Sequence, residues 1–335
     1  MTPVKLVRVE DAVGKKLAYD YSAVTLDFKS AVKKRGETVT PGDVELLKNH
    51  GHYYVYIEDD EGVGYGLHEE EAVVKLAELI SGGNIRVEKA PEGKALLKST
   101  VNGLLIVDSA GLKKINSTGV YAVITRRGGT YVRQGELVAM VDLIPLSVPV
   151  DYPLHVFNDL LGSRKIIHVY ESKHPRVGLV ITGTEIVDGR KRDLATPVIV
   201  EKLRLYELQQ GTLVYARDDE KEISEAIKTL LMDHDAVVVA GGMSIDPTDR
   251  TPIAIAAVAD EVVAYGVPVK PTTMSMIAYR EGKPIVGVSS GVIYFPDYNV
   301  LDIVLPWVSA GVKIPRDYIV SLGEGGLTEY FLKRR

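Results

Sequence analysis

The chain has 335 residues, of which 46% are hydrophobic and 25% charged, and a formal net charge of −5 at pH 7. This length suits two or three domains with cores of their own, and the negative balance argues against general binding to nucleic acid or to an anionic membrane. The absence of cysteine excludes disulfides and thiol chemistry and is typical of a cytoplasmic protein. No apolar stretch resembles a signal-peptide core or approaches the roughly 20 residues that a membrane span needs.

Residues 1–66 are predicted to form a small α/β or β-rich module. We expect strands over 4–9, 33–39 and 53–57 and a helix that starts at Thr40-Pro41 and ends near Gly51. Leu46 and Leu47 of that helix are predicted to face inward.

Three glycines, Gly62, Gly64 and Gly66, precede a helix predicted over 67–80. Their GxGxG spacing differs from the GxGxxG of dinucleotide sites. Acidic residues flank them on both sides and would repel a pyrophosphate. We therefore interpret the stretch as a linker.

The next domain, over 67–162, is predicted to combine that helix with a β-rich barrel or sandwich. Short apolar runs over 104–107, 120–125 and 137–143 are separated by turn dipeptides that contain glycine. A connecting helix is expected over 152–162, and His174-Pro175 marks the next boundary.

From Arg176 onward, predicted strands alternate with predicted helices. This alternation is typical of an α/β fold, in which parallel strands are covered by helices on both faces. The predicted fold class is therefore a doubly wound, mostly parallel three-layer domain over 174–312, preceded by smaller β-rich or α+β domains. Residues 313–335 are expected to be a C-terminal tail.

The segment over 236–251, AVVVAGGMSIDPTDRT, carries the strongest functional signal. A buried strand ends at Gly241 and Gly242, and a helix is predicted to start at Thr251-Pro252, with Thr251 as its N-cap. Glycines let backbone N–H groups approach an anion at the carboxyl end of a strand, and the helix start adds a partial positive charge.

Carboxylates in the same loop point to a divalent cation. Asp246 and Asp249 would repel a bare phosphate, whereas Mg²⁺ takes one or two carboxylates together with phosphate oxygens. Glu185, after the first strand of the domain, is a third candidate metal ligand. The alternative is that Asp249 only caps the following helix.

Four loops, over 182–193, 241–251, 266–274 and 288–291, fall near predicted strand ends. Each could be an ordinary turn, but together they predict one ligand site. The candidate ligand contacts are Thr182, Gly183, Thr184, Glu185, Gly241, Gly242, Met243, Ser244, Lys270, Pro271, Thr272, Ser289, Ser290 and Gly291. Asp246 and Asp249 are also the candidate catalytic residues.

The chain from Arg176 to about Gly326 resembles the molybdopterin-binding domain of molybdenum cofactor biosynthesis proteins, gephyrin and the competence-damage-inducible family. The matching segments are VGLVITGTEI, VVVAGGMSIDPTDRTP, YGVPVKPTTM, GKPIVGVSSGVIYF and FPDYNVLDIVLPWVSAG. Residues 10–57 resemble the N-terminal region of molybdopterin molybdotransferases. GEGGL at 323–327 is similar to the end of stand-alone molybdopterin-binding proteins.

The resemblance implies a role in molybdenum cofactor biosynthesis, in pterin activation or molybdate insertion. Its ligand would be molybdopterin or the adenylylated form, bound through a terminal phosphate with Mg²⁺. It also implies a homodimer, with molybdate and a client molybdoenzyme as further partners. The positions that match the family loops are Thr182, Gly183, Glu185, Gly241, Gly242, Ser244, Asp246, Asp249, Lys270 and Pro271.

Departures from the family leave more than one function open. Residues 25–39 lack the Asp-Gly-aromatic-Ala pattern whose Asp is thought to act in metal insertion, and the Leu-Pro-Gly-Asn-Pro loop is replaced by Val288-Ser289-Ser290-Gly291. The stretch after Ala310 is too short for the usual C-terminal β-barrel. The hypotheses are an enzyme with molybdotransferase- or adenylyltransferase-like activity, a non-catalytic molybdopterin carrier, chaperone or sensor, and an unrelated phosphate-sugar or nucleotide binder.

Overall fold

The computed structural model describes residues 4–24, 29–58, 66–91, 93–243 and 249–333. The predicted site residues Ser244 and Asp246 therefore lie outside the described residues, as do Gly62 and Gly64. Within the described ranges, no helix is long and apolar enough to cross a membrane.

The N-terminal module is built on two antiparallel strand pairs and one helix. Its elements are β1 (Val4–Arg8), a 3-10 turn (Val9–Ala12), β2 (Tyr21–Val24), β3 (Lys29–Lys33), α1 (Pro41–Asn49) and β4 (Tyr54–Glu58). β1 pairs with β4, and β2 pairs with β3. The side chains of Thr40 and Asp43 form a capping box that starts α1. Leu47 is fully buried, but Leu46 is 38% exposed, so its predicted inward orientation is wrong.

The β-rich domain that follows contains two main sheets around one core. Its elements are β5 (Leu67–His68), α2 (Glu69–Ile80), β6 (Ile85–Ala90), β7 (Lys94–Ser99), β8 (Gly103–Val107), α3 (Ser109–Asn116), β9 (Tyr121–Thr125), β10 (Tyr131–Val132), β11 (Leu137–Leu143), β12 (Ser147–Val148), α4 (Tyr152–His155), a π-helical turn (Val156–Leu160) and β13 (Ile167–Glu171). The sheets have the strand orders β6-β7-β11-β9 and β10-β8-β13. The apolar face of α2 is buried in the same core as residues from both sheets.

A stacked ring pair joins the N-terminal module to this domain. The rings of Tyr19 and His68 lie 4.7 Å apart with planes inclined by 24°. His68 is 6% exposed, and its Nε2 has no hydrogen-bond partner in the described part of the chain. Burial, followed by the charge of Arg35, lowers the pKa of His68.

This histidine predicts a loss of stability in mild acid. Because the folded state lowers its pKa, the unfolded chain binds more protons below about pH 6.5, and the free energy of unfolding falls with pH in that window. His68→Phe keeps a ring against Tyr19 and removes the titration. Denaturant unfolding at several pH values should give a flatter profile for this variant, and parallel profiles would contradict the assignment.

The C-terminal half is the predicted α/β domain. Its elements are β14 (Arg176–Thr182), α5 (Thr184–Val187), α6 (Ala195–Leu205), β15 (Gln209–Ala216), α7 (Glu220–Asp233), β16 (Ala236–Ala240), α8 (Thr251–Val258), β17 (Glu261–Tyr265), β18 (Ser275–Arg280), β19 (Lys283–Val288), α9 (Gly291–Tyr294), α10 (Val300–Ala310), α11 (Arg316–Ser321) and α12 (Glu329–Leu332). The six strands have the order β15-β14-β16-β19-β18-β17.

The strand pairing confirms the predicted fold class. The pairs β14–β15, β14–β16 and β16–β19 are parallel, and β18 runs antiparallel to both of its neighbours. One face of the sheet shares a core with α6 and α10, and the other shares a core with α7 and α8. The domain is therefore a mostly parallel, three-layer sheet whose central strands are buried on both sides.

The connections place a crevice between β14 and β16. From β14 the chain passes through α6 to β15 on one side, and then through α7 to β16 on the other side. Ligands of open α/β sheets bind outside the carboxyl ends of the strands where the strand order reverses in this way. The loops after β14, β15, β16 and β19 all lie at that edge because these four strands are parallel.

The β-rich and α/β domains share buried contacts. Leu104 of β8 belongs to the core of the α/β domain. The hydroxyls of Ser172 and Ser309 are 2.6 Å apart. Asn102 donates from Nδ2 to Oε1 of Glu207. A domain boundary near residue 174 stays a prediction. Such a boundary would separate residues that pack against each other or share hydrogen bonds in this structure.

Candidate functional site

A cavity of about 780 Å³ opens at the carboxyl ends of β14 and β16. Seven predicted site residues line it: Thr182, Gly183, Glu185, Gly241, Gly242, Asp249 and Ser290. The cavity is also lined by polar or aromatic residues that were not predicted from the sequence, namely Lys191, Arg192, Asp193, Asp218, Arg250 and Tyr294. We call this cavity the cleft.

The two glycines after β16 lie against the end of β14 without room for side chains. Gly241 has φ +108°, and a Cβ there would lie 2.6 Å from both the carbonyl oxygen and the hydroxyl of Thr182. Gly242 has φ +56°, and its Cβ would lie 2.8 Å from the hydroxyl of Thr251. Thr182 and Thr251 are 4% and 0% exposed, and their hydroxyl oxygens are 3.4 Å apart. The turn is thus fixed by two buried threonines.

One of the two glycine amides is already used. The amide of Gly241 donates to the carbonyl of Val288 at 3.1 Å. For the amide of Gly242, no acceptor occurs among the described residues. The amide of Gly242 is therefore a donor available to an anion at this turn.

Asp218 joins the loops after β14 and β15. Its Oδ2 accepts from the amide of Thr184 at 2.9 Å, and the amide of Asp218 donates to the hydroxyl of Thr184 at 3.2 Å. Its Oδ1 lies 3.7 Å from the position of a Cβ on Gly242. The carboxylate therefore faces the glycine turn, and Thr184 contributes to the site by holding it.

Asp249 does not cap α8. The N-cap of that helix is Arg250, and no side chain caps it, so the predicted N-cap role of Thr251 is also wrong. Oδ2 of Asp249 is buried and has no hydrogen-bond partner within the described part of the chain. A buried carboxylate oxygen without a partner is costly unless a ligand or cation satisfies it.

Glu185 is less available to a metal than its sequence position suggested. Its Oε1 lies 3.3 Å from Nζ of Lys191. Its own backbone amide, and then Lys191, hold the pKa of its carboxyl below the ordinary value. Glu185 is therefore a carboxylate at neutral pH whose charge is partly balanced by this lysine.

Asp193 organises the wall of the cleft beside α6. Its Oδ1 accepts from the amides of Ala195 and Thr196 at 2.8 and 3.0 Å, and Oδ2 accepts from the hydroxyl of Tyr215 at 3.2 Å. The first turn of α6 is thus capped by Asp193. Its neighbours Lys191 and Arg192 bring positive charge to the same wall.

The remaining predicted residues lie beside or beneath the cleft. The Met243 side chain is 1% exposed and packs into the core below the turn. The loop with Lys270 and Pro271 does not line the cleft. Thr272 is 8% exposed, and its hydroxyl accepts from the amide of Val300 at 2.9 Å. Ser289 and Gly291 adjoin Ser290, but only Ser290 lines the cleft.

Carboxylates approach the cleft from several loops without forming a closed metal cage. In the described ranges, no group of three or more His, Cys, Asp or Glu side chains is arranged to hold a metal ion. Asp246 lies outside those ranges. A cation in the cleft would thus need oxygens from a ligand or water in addition to Asp249 and Asp218.

Comparison with known families agrees with this architecture. Residues 178–302 match the family described as a probable molybdopterin binding domain. The α/β domain with its cleft therefore matches this family of probable molybdopterin binding domains, and the predicted resemblance is confirmed for that part of the chain. Residues 6–59 match a domain of unknown function (DUF8806), so the likeness of 10–57 to molybdotransferases stays a prediction.

Curated relatives match about a third of the chain. Over 124 residues the chain is 28% identical to the molybdopterin molybdenumtransferase of Staphylococcus aureus strain Mu50. Over 125 residues it is 24% identical to that of Staphylococcus epidermidis strain RP62A. Each match covers 35% of this chain and 30% of the relative, so the chain spans less than a third of the length of these proteins.

Solved structures resemble the α/β domain at low identity. The molybdopterin biosynthesis enzyme MoaB from Thermus thermophilus is 19% identical, with a TM-score of 0.37, over 42% of this chain and 98% of that chain. The tungsten cofactor synthesizing protein MoaB from Pyrococcus furiosus is 20% identical, with a TM-score of 0.32, over 45% of this chain and 92% of that chain.

Proposed function

We propose that the chain binds molybdopterin in the cleft, with the terminal phosphate at the turn formed by Gly241 and Gly242. The observation that carries this proposal is the packing of the turn on Thr182 and Thr251, which excludes side chains and leaves the Gly242 amide at the carboxyl end of β16. Backbone N–H groups in such a turn bind phosphate oxygens well.

The size and charge of the cleft suit a pterin with a phosphate group. A volume of about 780 Å³ lies within the range of about 300–1,000 Å³ for small-molecule sites. Lys191, Arg192 and Arg250 line it and would balance the phosphate charge. Tyr294 is 68% exposed at the same cavity and offers a ring to the pterin body.

The residues present fit a magnesium ion at the phosphate. The unpartnered Oδ2 of Asp249 and the free side of Asp218 supply two carboxylates near the glycine turn. Mg²⁺ is commonly held by one or two carboxylates plus phosphate oxygens and water. Bound there, it would neutralise phosphate charge and polarise a phosphoanhydride. Asp246 and Glu185 remain candidate ligands of the same ion.

The carboxylates beside the phosphate position favour an enzyme of cofactor assembly, acting in pterin activation or molybdate insertion. The adenylylated pterin and molybdate would then be its other substrates. A homodimer, a cytoplasmic location and a client molybdoenzyme belong to the same proposal. A non-catalytic carrier would use the same phosphate contacts without the chemistry.

Titration of the purified chain with molybdopterin tests binding, and added ATP, Mg²⁺ and molybdate test chemistry. We expect micromolar or tighter binding that improves with Mg²⁺, followed by AMP or pyrophosphate release or by molybdenum incorporation. Binding without either product would replace the enzyme by the carrier. Absence of binding, with and without Mg²⁺, would overturn the proposed function.

A further inference from the structure

We infer that the C-terminal segment over 323–333, which we call the C-terminal strap, positions the α9 wall of the cleft. Gly326 and Thr328 are then positioning residues of the site, although neither lines it. The effect on ligand affinity rests on the proposed function, whereas the effect on the wall does not.

The C-terminal strap directly follows residues that are buried in the core of the α/β domain. It clamps the Lys270 loop by hydrogen bonds to the backbone of that loop. Ile319 and Leu322, just before it, are 1% and 4% exposed in the core of the α/β domain. The amide of Lys270 donates to the carbonyl of Gly326 at 2.8 Å, and the hydroxyl of Thr328 donates to the carbonyl of Lys270 at 2.6 Å. Both backbone groups of Lys270 are thus held by the strap.

This clamp requires glycine at position 326. A Cβ on Gly326 would lie 2.2 Å from the carbonyl oxygen of Pro268 and 2.6 Å from that of Leu322. Contacts with backbone atoms cannot be relieved by moving a side chain. The GEGGL sequence therefore has a physical explanation in the close approach of two backbones.

Two aromatic pairs extend the contact toward the cleft. The rings of Tyr330 and Tyr298 stack at 5.0 Å with planes inclined by 13°. The rings of Phe331 and Phe295 lie 5.9 Å apart. Phe295 and Tyr298 belong to the connection between α9 and α10, so the strap holds both that connection and the Lys270 loop.

The clamped loop in turn supports α9. The Cγ2 atom of Thr272 lies 3.1 Å from the position of a Cβ on Gly291, the first residue of α9. The hydroxyl of Thr272 accepts from the amide of Val300 at the start of α10. Ile293 and Tyr294 of α9 line the cleft. A continuous set of contacts thus runs from the strap through Thr272 to this wall.

Thr328→Val tests the strap because it keeps the shape of the side chain and removes the hydroxyl, which donates to the carbonyl of Lys270 and accepts from the amide of Phe331 at the start of α12. Glu324→Gln is the matched control, since Glu324 is exposed on the same segment. Hydrogen exchange of the full chain should be about fivefold faster over 268–272 and over α9 in Thr328→Val, in proportion to the loss of the hydrogen bond to Lys270. Exchange in β16 should be unchanged, and Glu324→Gln should match the wild type.

Molybdopterin affinity provides the second readout. We expect it to fall about fivefold in Thr328→Val and to be unchanged in Glu324→Gln. The strap does not position the wall if exchange in Thr328→Val rises over 268–272 but not over α9. The same holds if the wild type binds molybdopterin and Thr328→Val binds it with equal affinity. If the wild type does not bind, the proposed function fails, and the exchange of α9 alone supports or overturns the strap.

Discussion

Replacing Gly241 by alanine should abolish molybdopterin binding, with a loss of at least about 100-fold in affinity, or about 2.7 kcal/mol. A Cβ at this position meets the carbonyl and the hydroxyl of Thr182 at 2.6 Å, and φ +108° is not open to alanine without strain. The turn would have to move away from β14 and take the Gly242 amide with it. We expect the free energy of unfolding to fall as well, by about 1–3 kcal/mol.

Gly282→Ala is the matched control for backbone strain. Gly282 has φ +77°, but a Cβ there meets nothing within 4 Å, and the residue lies in the β18–β19 turn, away from the cleft. The free energy of unfolding of Gly282→Ala should fall by about 1–2 kcal/mol, and its affinity for molybdopterin should be unchanged. If Gly241→Ala bound molybdopterin as the wild type does, the phosphate would not lie at this turn.

Asp249→Asn should weaken the magnesium-dependent part of binding by about 10–100-fold, a loss typical of a damaged metal site. The variant removes the charge of a buried carboxylate oxygen that has no partner in the described part of the chain. Because Asp249 does not cap α8, stability should change little. Without Mg²⁺, affinity should stay the same or improve, since repulsion of the phosphate is relieved.

Paired titrations with and without Mg²⁺ check this result. Asp188→Asn is the control, because Asp188 is an exposed acid in the loop after β14 that pairs with Arg217 and does not line the cleft. It should leave both titrations unchanged. If the titrations of Asp249→Asn equal those of the wild type, Asp249 does not bind the proposed magnesium ion, and Asp218, Asp246 or Glu185 becomes its candidate ligand.

The sequence was most informative where one segment carried several consistent signals. β16 is a short β-branched run that ends in two glycines, and Thr251-Pro252 marks the next helix, so strand, turn and helix were all predicted correctly. The φ values of Gly241 and Gly242 are positive, which explains why glycine is needed at both positions.

Features that depend on neighbouring strands could not be predicted in this way. The contact of Asp218 with Thr184 exists only because β15 lies beside β14, and its sequence position suggested no more than a loop before a helix cap. The Lys270 loop lies at the correct edge of the sheet but follows β17, three strands from β16. At about 4.8 Å per strand this is roughly 14 Å from the glycine turn, which is why Lys270 does not line the cleft.

Two further differences lie in the α/β domain. β18 was not predicted because it follows the proline-containing stretch over 266–274, which resembles one continuous connection. Thr196-Pro197 at one end and Gly211 at the other predict a helix that runs to Gln210, but α6 ends at Leu205 because Glu207 takes a left-handed conformation and Gln209 starts β15. Neither difference changes the cleft, since both lie outside its lining residues.

A structure of the chain with molybdopterin and Mg²⁺ bound tests the central claim most directly. We expect the terminal phosphate within hydrogen-bond distance of the Gly242 amide, with Asp249 or Asp218 on the metal ion or on its water. A pterin bound elsewhere on the chain, or a phosphate held away from the turn between Thr182 and Thr251, would contradict the account.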